Sequence, residues 1–331
     1  MIKLRITLLS ILPFVGGVMA KQGGGSWDAP AAVKAMMVFE IIWSVILFGL
    51  FVTIVRCLRL VPPGCYTRAP YILLSIVAGA ASISYLLSGI LLRIPRSGSG
   101  LSFRVAYGLN TFAASLSYID FAFEPAVCLW LIHLRGRLTN TTEGKTFDPW
   151  VSQSWKRFVD WSLVAVTFIL SISMTAIMTN AWIKYAVKHL DFDQFSHYLL
   201  VNRGLNFAVV AFGSLMSIDV IISLVALKVT QRRVYFIDPL TTRLVVAVLP
   251  FVIFKFIESL AITVYPESSA MRYTDYYVLN LVSIILGGVC SMGIIGGLAS
   301  TMTIPSVLWA PGATASTLAL PVGEGPGYVR Q

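Results

Sequence analysis

The chain has 331 residues, of which 57% are apolar and 12% charged, and 25 Lys and Arg against 15 Asp and Glu give a formal charge of +10. Mean hydropathy is +0.80. A soluble domain carries roughly 25% charged residues, so this composition excludes a water-covered globular fold and points to a polytopic membrane protein. The positive charge does not indicate nucleic acid, because the bases flank apolar runs and form no basic face with interleaved aromatics.

Residues 1–20 read as a cleavable signal peptide. Lys3 and Arg5 form its positive start, Ile6 to Val18 its apolar stretch, and Val18-Met19-Ala20 a small-residue cleavage site. The apolar stretch is too short to span a bilayer; an uncleaved signal anchor is the alternative. Residues 21–32 then form a short extracellular or lumenal lead containing Gly23, Gly24 and Gly25.

Seven apolar segments follow at about 33–55, 70–92, 105–132, 158–182, 204–227, 244–265 and 276–301. Each is long enough to cross a hydrocarbon core of roughly 30 Å as a helix. Lipid satisfies no backbone polar group, and the segments lack the alternation of a membrane β-barrel, so helices are required. The expected fold is an all-α bundle of seven transmembrane helices over residues 33–301, with the N-terminus outside and the C-terminus cytoplasmic. Bases slightly favour the predicted inner side, where Arg56, Arg59, Arg135, Lys156 and Arg232 fall. Residues 302–331, rich in Pro, Gly, Ala, Ser and Thr, read as a disordered cytoplasmic tail. The predicted location is the plasma membrane or a secretory-pathway membrane.

Cys57 and Cys65 fall in the first inner loop, and Cys128 and Cys290 in segments 3 and 7, so no disulfide is expected. His189, Asp193 and His197 recur every four residues between segments 4 and 5. On a helix they would share one face with donors suited to zinc. A solvated amphipathic face is the plainer reading, and no metal or cofactor is expected. Asn140-Thr141-Thr142 is a glycosylation sequon in a loop predicted to be cytoplasmic. Trp150, Trp155 and Trp161 around the start of segment 4 read as interface anchors. Gly293 and Gly297 in segment 7 have the spacing of close helix packing.

The informative residues are ionisable groups far from any segment end: Glu40, Asp120, Glu124, Asp219, Lys255 and Glu258. A charge at bilayer centre costs about 2.5–3.5 kcal/mol even on insertion scales, so such groups face the bundle interior and are candidate functional residues. Asp120 and Glu124 lie one turn apart on one face, as do Lys255 and Glu258. Lys255 can neutralise one carboxylate, which leaves the other acids to be protonated or hydrated. Pro125 and Pro250 stand beside these pairs and free backbone carbonyls there. The competing reading is plain interhelical hydrogen bonding, worth about 0.6 kcal/mol per bond.

Rhodopsin-like signals are missing, since segment 3 ends in His133-Leu134-Arg135-Gly136-Arg137 and segment 7 has no N-P-x-x-Y. The stretch Leu249-Pro250-Phe251 through Lys255 to Glu258 resembles the L-P-F-x-x-x-R-x-x-Y segment of an uncharacterised fungal family of seven-helix membrane proteins. Lys255 stands at the Arg position of that pattern and Glu258 at the Tyr. With Pro266-Glu267 and Tyr273 to Asp275, the same region is faintly similar to the fungal lipid-translocating exporter family. The resemblance implies a fungal-type multispan protein.

The expected function is binding of a small amphiphile or lipid in a polar intramembrane pocket, for transport or sensing. Asp120, Glu124, Asp219, Lys255 and Glu258 would line the pocket, with Glu40 as an outer contact. The expected partners are the bilayer and that ligand, and no nucleic acid. One alternative is a membrane-embedded cyclase or isomerase with an intramembrane carboxylic acid as proton donor. Another is a structural or assembly subunit. The balance leans away from an enzyme.

Overall fold

The computed structural model describes residues 31–62, 64–93, 103–141, 150–186, 191–233, 238–268 and 273–305. The signal peptide, almost all of the lead and nearly all of the tail lie outside these residues. The described residues contain helices and no strand.

Seven long helices are present. They are α1 (Ala31–Cys57), α2 (Cys65–Arg93), α3 (Phe103–Thr141), α4 (Ser154–Ala186), α5 (Phe192–Arg233), α6 and α7 (Tyr273–Ser300). Helix α6 runs without a break through Pro239–Arg243, a π-helical turn Leu244–Val248 and Leu249–Ser268. Short 3-10 turns, Trp150–Ser152 and Thr301–Thr303, precede α4 and follow α7. All seven helices are long and apolar enough to cross a membrane. Their outward faces carry exposed residues such as Phe158 (75%) and Val246 (70%). Apolar surface on this scale suits lipid and not water. The protein is an integral membrane protein.

Several helices outrun the apolar segments. Helix α5 has 42 residues and starts at Phe192 rather than near 204, because Asp191 caps it by accepting from the Gln194 N–H at 2.9 Å. Helix α3 continues to Thr141. Hydropathy marks only where the chain meets lipid, whereas a helix continues until capping or a breaker stops it.

Consecutive helices are antiparallel. From α3 to α4, Thr111 meets Thr179, Phe123 meets Phe168, Trp130 meets Trp161 and His133 meets Asp160, so one number rises as the other falls. Each helix packs on the next, and α1 packs on α7 to close the ring. Helix α3 also touches α5 and α7, which makes it the central helix. The end holding the α1–α2, α3–α4 and α5–α6 connections is called the Arg135 end below.

The main core lies in the half towards that end, where Leu47, Leu74, Leu131, Leu224, Leu244 and Ile294 belong to one buried cluster. Towards the opposite end α4 and α5 share only a small cluster of Met178, Ala181, Phe195 and Leu199. Helix α7 lies very close to its neighbours. A Cβ on Gly288 would strike the Trp43 indole, and one on Gly293 the Phe251 ring. At Gly297 it would stand 2.8 Å from the Ala247 carbonyl oxygen. The glycine spacing in α7 therefore serves close packing.

Candidate functional site

Asp120 and Glu124 sit one turn apart on α3 and both face Lys255 of α6. Lys255 Nζ donates to Glu124 Oε2 at 2.9 Å and lies 3.6 Å from Asp120 Oδ2. It also donates to Ser291 Oγ of α7 at 3.0 Å, and that hydroxyl donates to Asp120 Oδ2 at 3.3 Å. Three helices thus meet at one lysine. Glu124 is buried, and Asp120 Oδ1 is buried without a hydrogen-bond partner. With one cation against two carboxylates, full ionisation leaves an excess negative charge, which is costly in a low-dielectric interior.

A cavity of about 20 Å3 adjoins this cluster, lined by Glu124, Pro125, Cys128, Ser217, Val252, Lys255 and Ile294. It has room for about one water molecule. Pro125 gives its helix no N–H beside Glu124. On α6, Pro250 follows one residue after the π turn. A proline ring crowds the carbonyl four residues back, and the wider π turn accommodates it. The α6 backbone beside the cluster is therefore irregular, while α3 stays helical and lacks one donor at Pro125.

The other expected site residues divide. Glu258 lies one turn from Lys255 and accepts a hydrogen bond from Ser283 Oγ of α7 at 2.8 Å. Glu40 is buried where α1 meets α2, beside Gly89, with Oε2 unpartnered. Tyr85 of α2 lies within electrostatic range of Asp120, Lys255, Glu40 and Glu124. One turn from Glu40, Ser44 and Ser82 each donate to the other's carbonyl at 2.9 Å.

Asp219 belongs elsewhere. Its oxygens accept from Lys156 Nζ of α4 at 2.7 and 2.8 Å. Lys156 also bonds Asp160 Oδ1, one turn on. Asp160 Oδ2 lies 2.8 Å from His133 Nε2 of α3, and His133 Nδ1 lies 2.8 Å from the Val151 carbonyl oxygen. The Trp150 ring sits 5.2 Å from Lys156 Nζ. Further towards the Arg135 end, buried Arg135 donates to Asp238 Oδ1 at 2.9 Å. Asp238 also caps α6 through the Leu240 and Thr241 N–H groups.

Sequence reading missed this second network. Lys156 is an inner-loop base by hydropathy, because the apolar run starts at about 158, yet it is buried in the first turn of α4. The signal available was Lys156 and Asp160 one turn apart at the mouth of an apolar run. Among the metal candidates, Asp193 and His197 are exposed on α5, and His189 lies outside the described residues. No cluster of three metal-ligating side chains occurs among the described residues.

No protein-family model, curated protein or solved structure matches the chain.

Proposed function

We propose that this membrane protein binds a small amphiphile through the Asp120–Glu124–Lys255 cluster, for transport or sensing. One observation carries the reading: two carboxylates of α3 share a single lysine of α6 beside a small cavity, and Asp120 Oδ1 is left unpartnered. Groups so costly in lipid earn a functional reading by default. The excess negative charge favours a cationic or hydroxylated head over an anionic one, because Lys255 is already engaged by both acids. The cavity is far smaller than any amphiphile, so binding in this reading needs a wider form of the bundle. Entry requires α6 to part from α3 beside Pro125 and the π turn before Pro250. Side-chain exposure of 21% at Lys255 and 13% at Asp120 shows that neither group is sealed off completely.

In this reading the N-terminus lies outside after signal-peptide removal, and the Arg135 end faces the cytoplasm. The likeness of Leu249 to Ser259 to a fungal seven-helix family makes a fungal-type multispan protein of the plasma membrane or secretory pathway the matching assignment. The test is binding by the full chain in lipid nanodiscs of a long-chain amine, alcohol and carboxylate of equal length. The amine is expected to bind and the carboxylate not, with at least tenfold weaker amine binding in E124Q and D120N. Equal partitioning of all three, unchanged by either substitution, overturns the reading. Conversion of a polyprenyl substrate by the purified protein would favour an intramembrane cyclase instead.

A further inference from the structure

The bases at the Arg135 end divide into two sets. Arg135 and Lys156 are buried and hold Asp238, Asp160 and Asp219 inside the bundle. Arg56, Arg59, Arg232 and Arg233 are exposed, and no acid among the described residues pairs with them. Arg243 is exposed too, but it already donates to the Ser300 carbonyl and the Thr303 hydroxyl. Every exposed charged side chain described at this end is thus an arginine. The opposite end differs, since exposed Lys34 and Lys184 stand there with exposed Asp191 and Asp193.

These arginines continue the lipid-facing surface. On α5, Ile218, Ile222, Val225 and Val229 are exposed in steps of three and four, and Arg232 is the next step. On α1, Val38, Ile42 and Val45 form such a face, and Arg56 falls on it about five turns after Val38. A lipid chain lying along either face brings its headgroup to a guanidinium. Exposed Trp150, Trp155 and Trp161 stand at the same end, around the start of α4, where indoles mark headgroup depth.

A planar guanidinium matches a phosphate through two parallel N–H donors. A zwitterionic headgroup brings its own cation to such a rim, whereas a net anionic headgroup does not. We propose that Arg56, Arg59, Arg232 and Arg233 form a rim that binds the phosphates of anionic lipids and gathers them around the Arg135 end. Rim and interior thereby select opposite charges, because the rim offers only cations and the Asp120–Glu124–Lys255 cluster has more acids than bases. The rim shares no residue with that cluster and stands independently of the ligand assigned there.

The test is electron spin resonance on the full chain in phosphatidylcholine bilayers holding a trace of spin-labelled lipid. Phosphatidylglycerol and phosphatidylcholine with the same labelled chain are compared. Each base near an anionic surface strengthens the attraction about fivefold. Averaged over the whole lipid shell, the expected preference for phosphatidylglycerol is at least about twofold. The variant R56Q/R59Q/R232Q/R233Q is expected to bring the two lipids level, and K34Q/K184Q to leave the preference intact. Equal association in the wild type, a preference that survives the four arginine substitutions, or one lost in K34Q/K184Q overturns the proposal. Should the arginine variant fail to fold, wild type in about 1 M salt replaces it, because the Debye length falls to about 3 Å. The preference is then expected to vanish, and its persistence overturns the proposal.

Discussion

Lys255 is the hinge of the candidate site at the residue scale, because both carboxylates of α3 and the Ser291 hydroxyl depend on its ammonium. Breaking a buried ion pair by removing one partner costs about 3–5 kcal/mol, since the charge left behind stays in a poor solvent. The variant K255M is therefore expected to lower the unfolding temperature of the purified protein sharply. Removing the acid it bonds as well, in K255M/E124Q, is expected to restore part of the loss. Equal stability of wild type and K255M would show that the lysine neutralises nothing. Asp238 makes a second residue-scale case, since one carboxylate both caps α6 and holds Arg135. Loss of a cap costs about 0.5–2 kcal/mol, and D238A is expected to exceed that range because the Arg135 contact goes too. Chemical denaturation of D238A beside the capping-competent D238N separates the two contributions.

At the scale of elements, α7 owes its position to three of its glycines, Gly288, Gly293 and Gly297. A methyl group on Gly293 meets the Phe251 ring, whereas one on Gly296 meets nothing within 4 Å. Overpacking costs about 1–3 kcal/mol. G293A is thus expected to destabilise the bundle while G296A leaves it unchanged, as read by unfolding temperature in the same detergent. Similar losses in both variants would mean that α7 tolerates no added volume anywhere, and close approach at Gly293 would lose its special place. Phe251 lies between Pro250 and Lys255 on α6, so a shift forced by G293A is also expected to weaken amine binding.

At the scale of the whole molecule, the spans were legible and much of the site was not. Seven apolar runs show directly in the sequence because lipid demands them, and all seven became helices. The pairing of Asp120 and Glu124 with each other was readable from their spacing on one helix face. That both turn to Lys255 is a contact between helices, for which hydropathy carries no register. Asp219 illustrates the failure most plainly. The sequence reading places it in one pocket with Lys255, yet its partner is Lys156 on the neighbouring helix, hidden because the apolar run begins two residues later. Arg135 and Asp238 are 103 positions apart and each reads as a loop residue until the bundle closes. Orientation also belongs to this scale. With the Arg135 end in the cytoplasm, Asn140 is expected to remain unglycosylated in a microsomal translocation assay, and a glycan there would invert the bundle.

The central claim is that an amphiphile's head reaches the acids between α3 and α6. The most direct measurement is cross-linking with a long-chain amine that carries a photoreactive group beside the nitrogen, followed by peptide mapping of the full chain in nanodiscs. The expected result is labelling on α3 near Asp120 to Cys128 and on α6 near Phe251 to Lys255, abolished by excess unlabelled amine. Labelling confined to outward-facing residues such as Phe48 and Val246, unaffected by competitor, would contradict it.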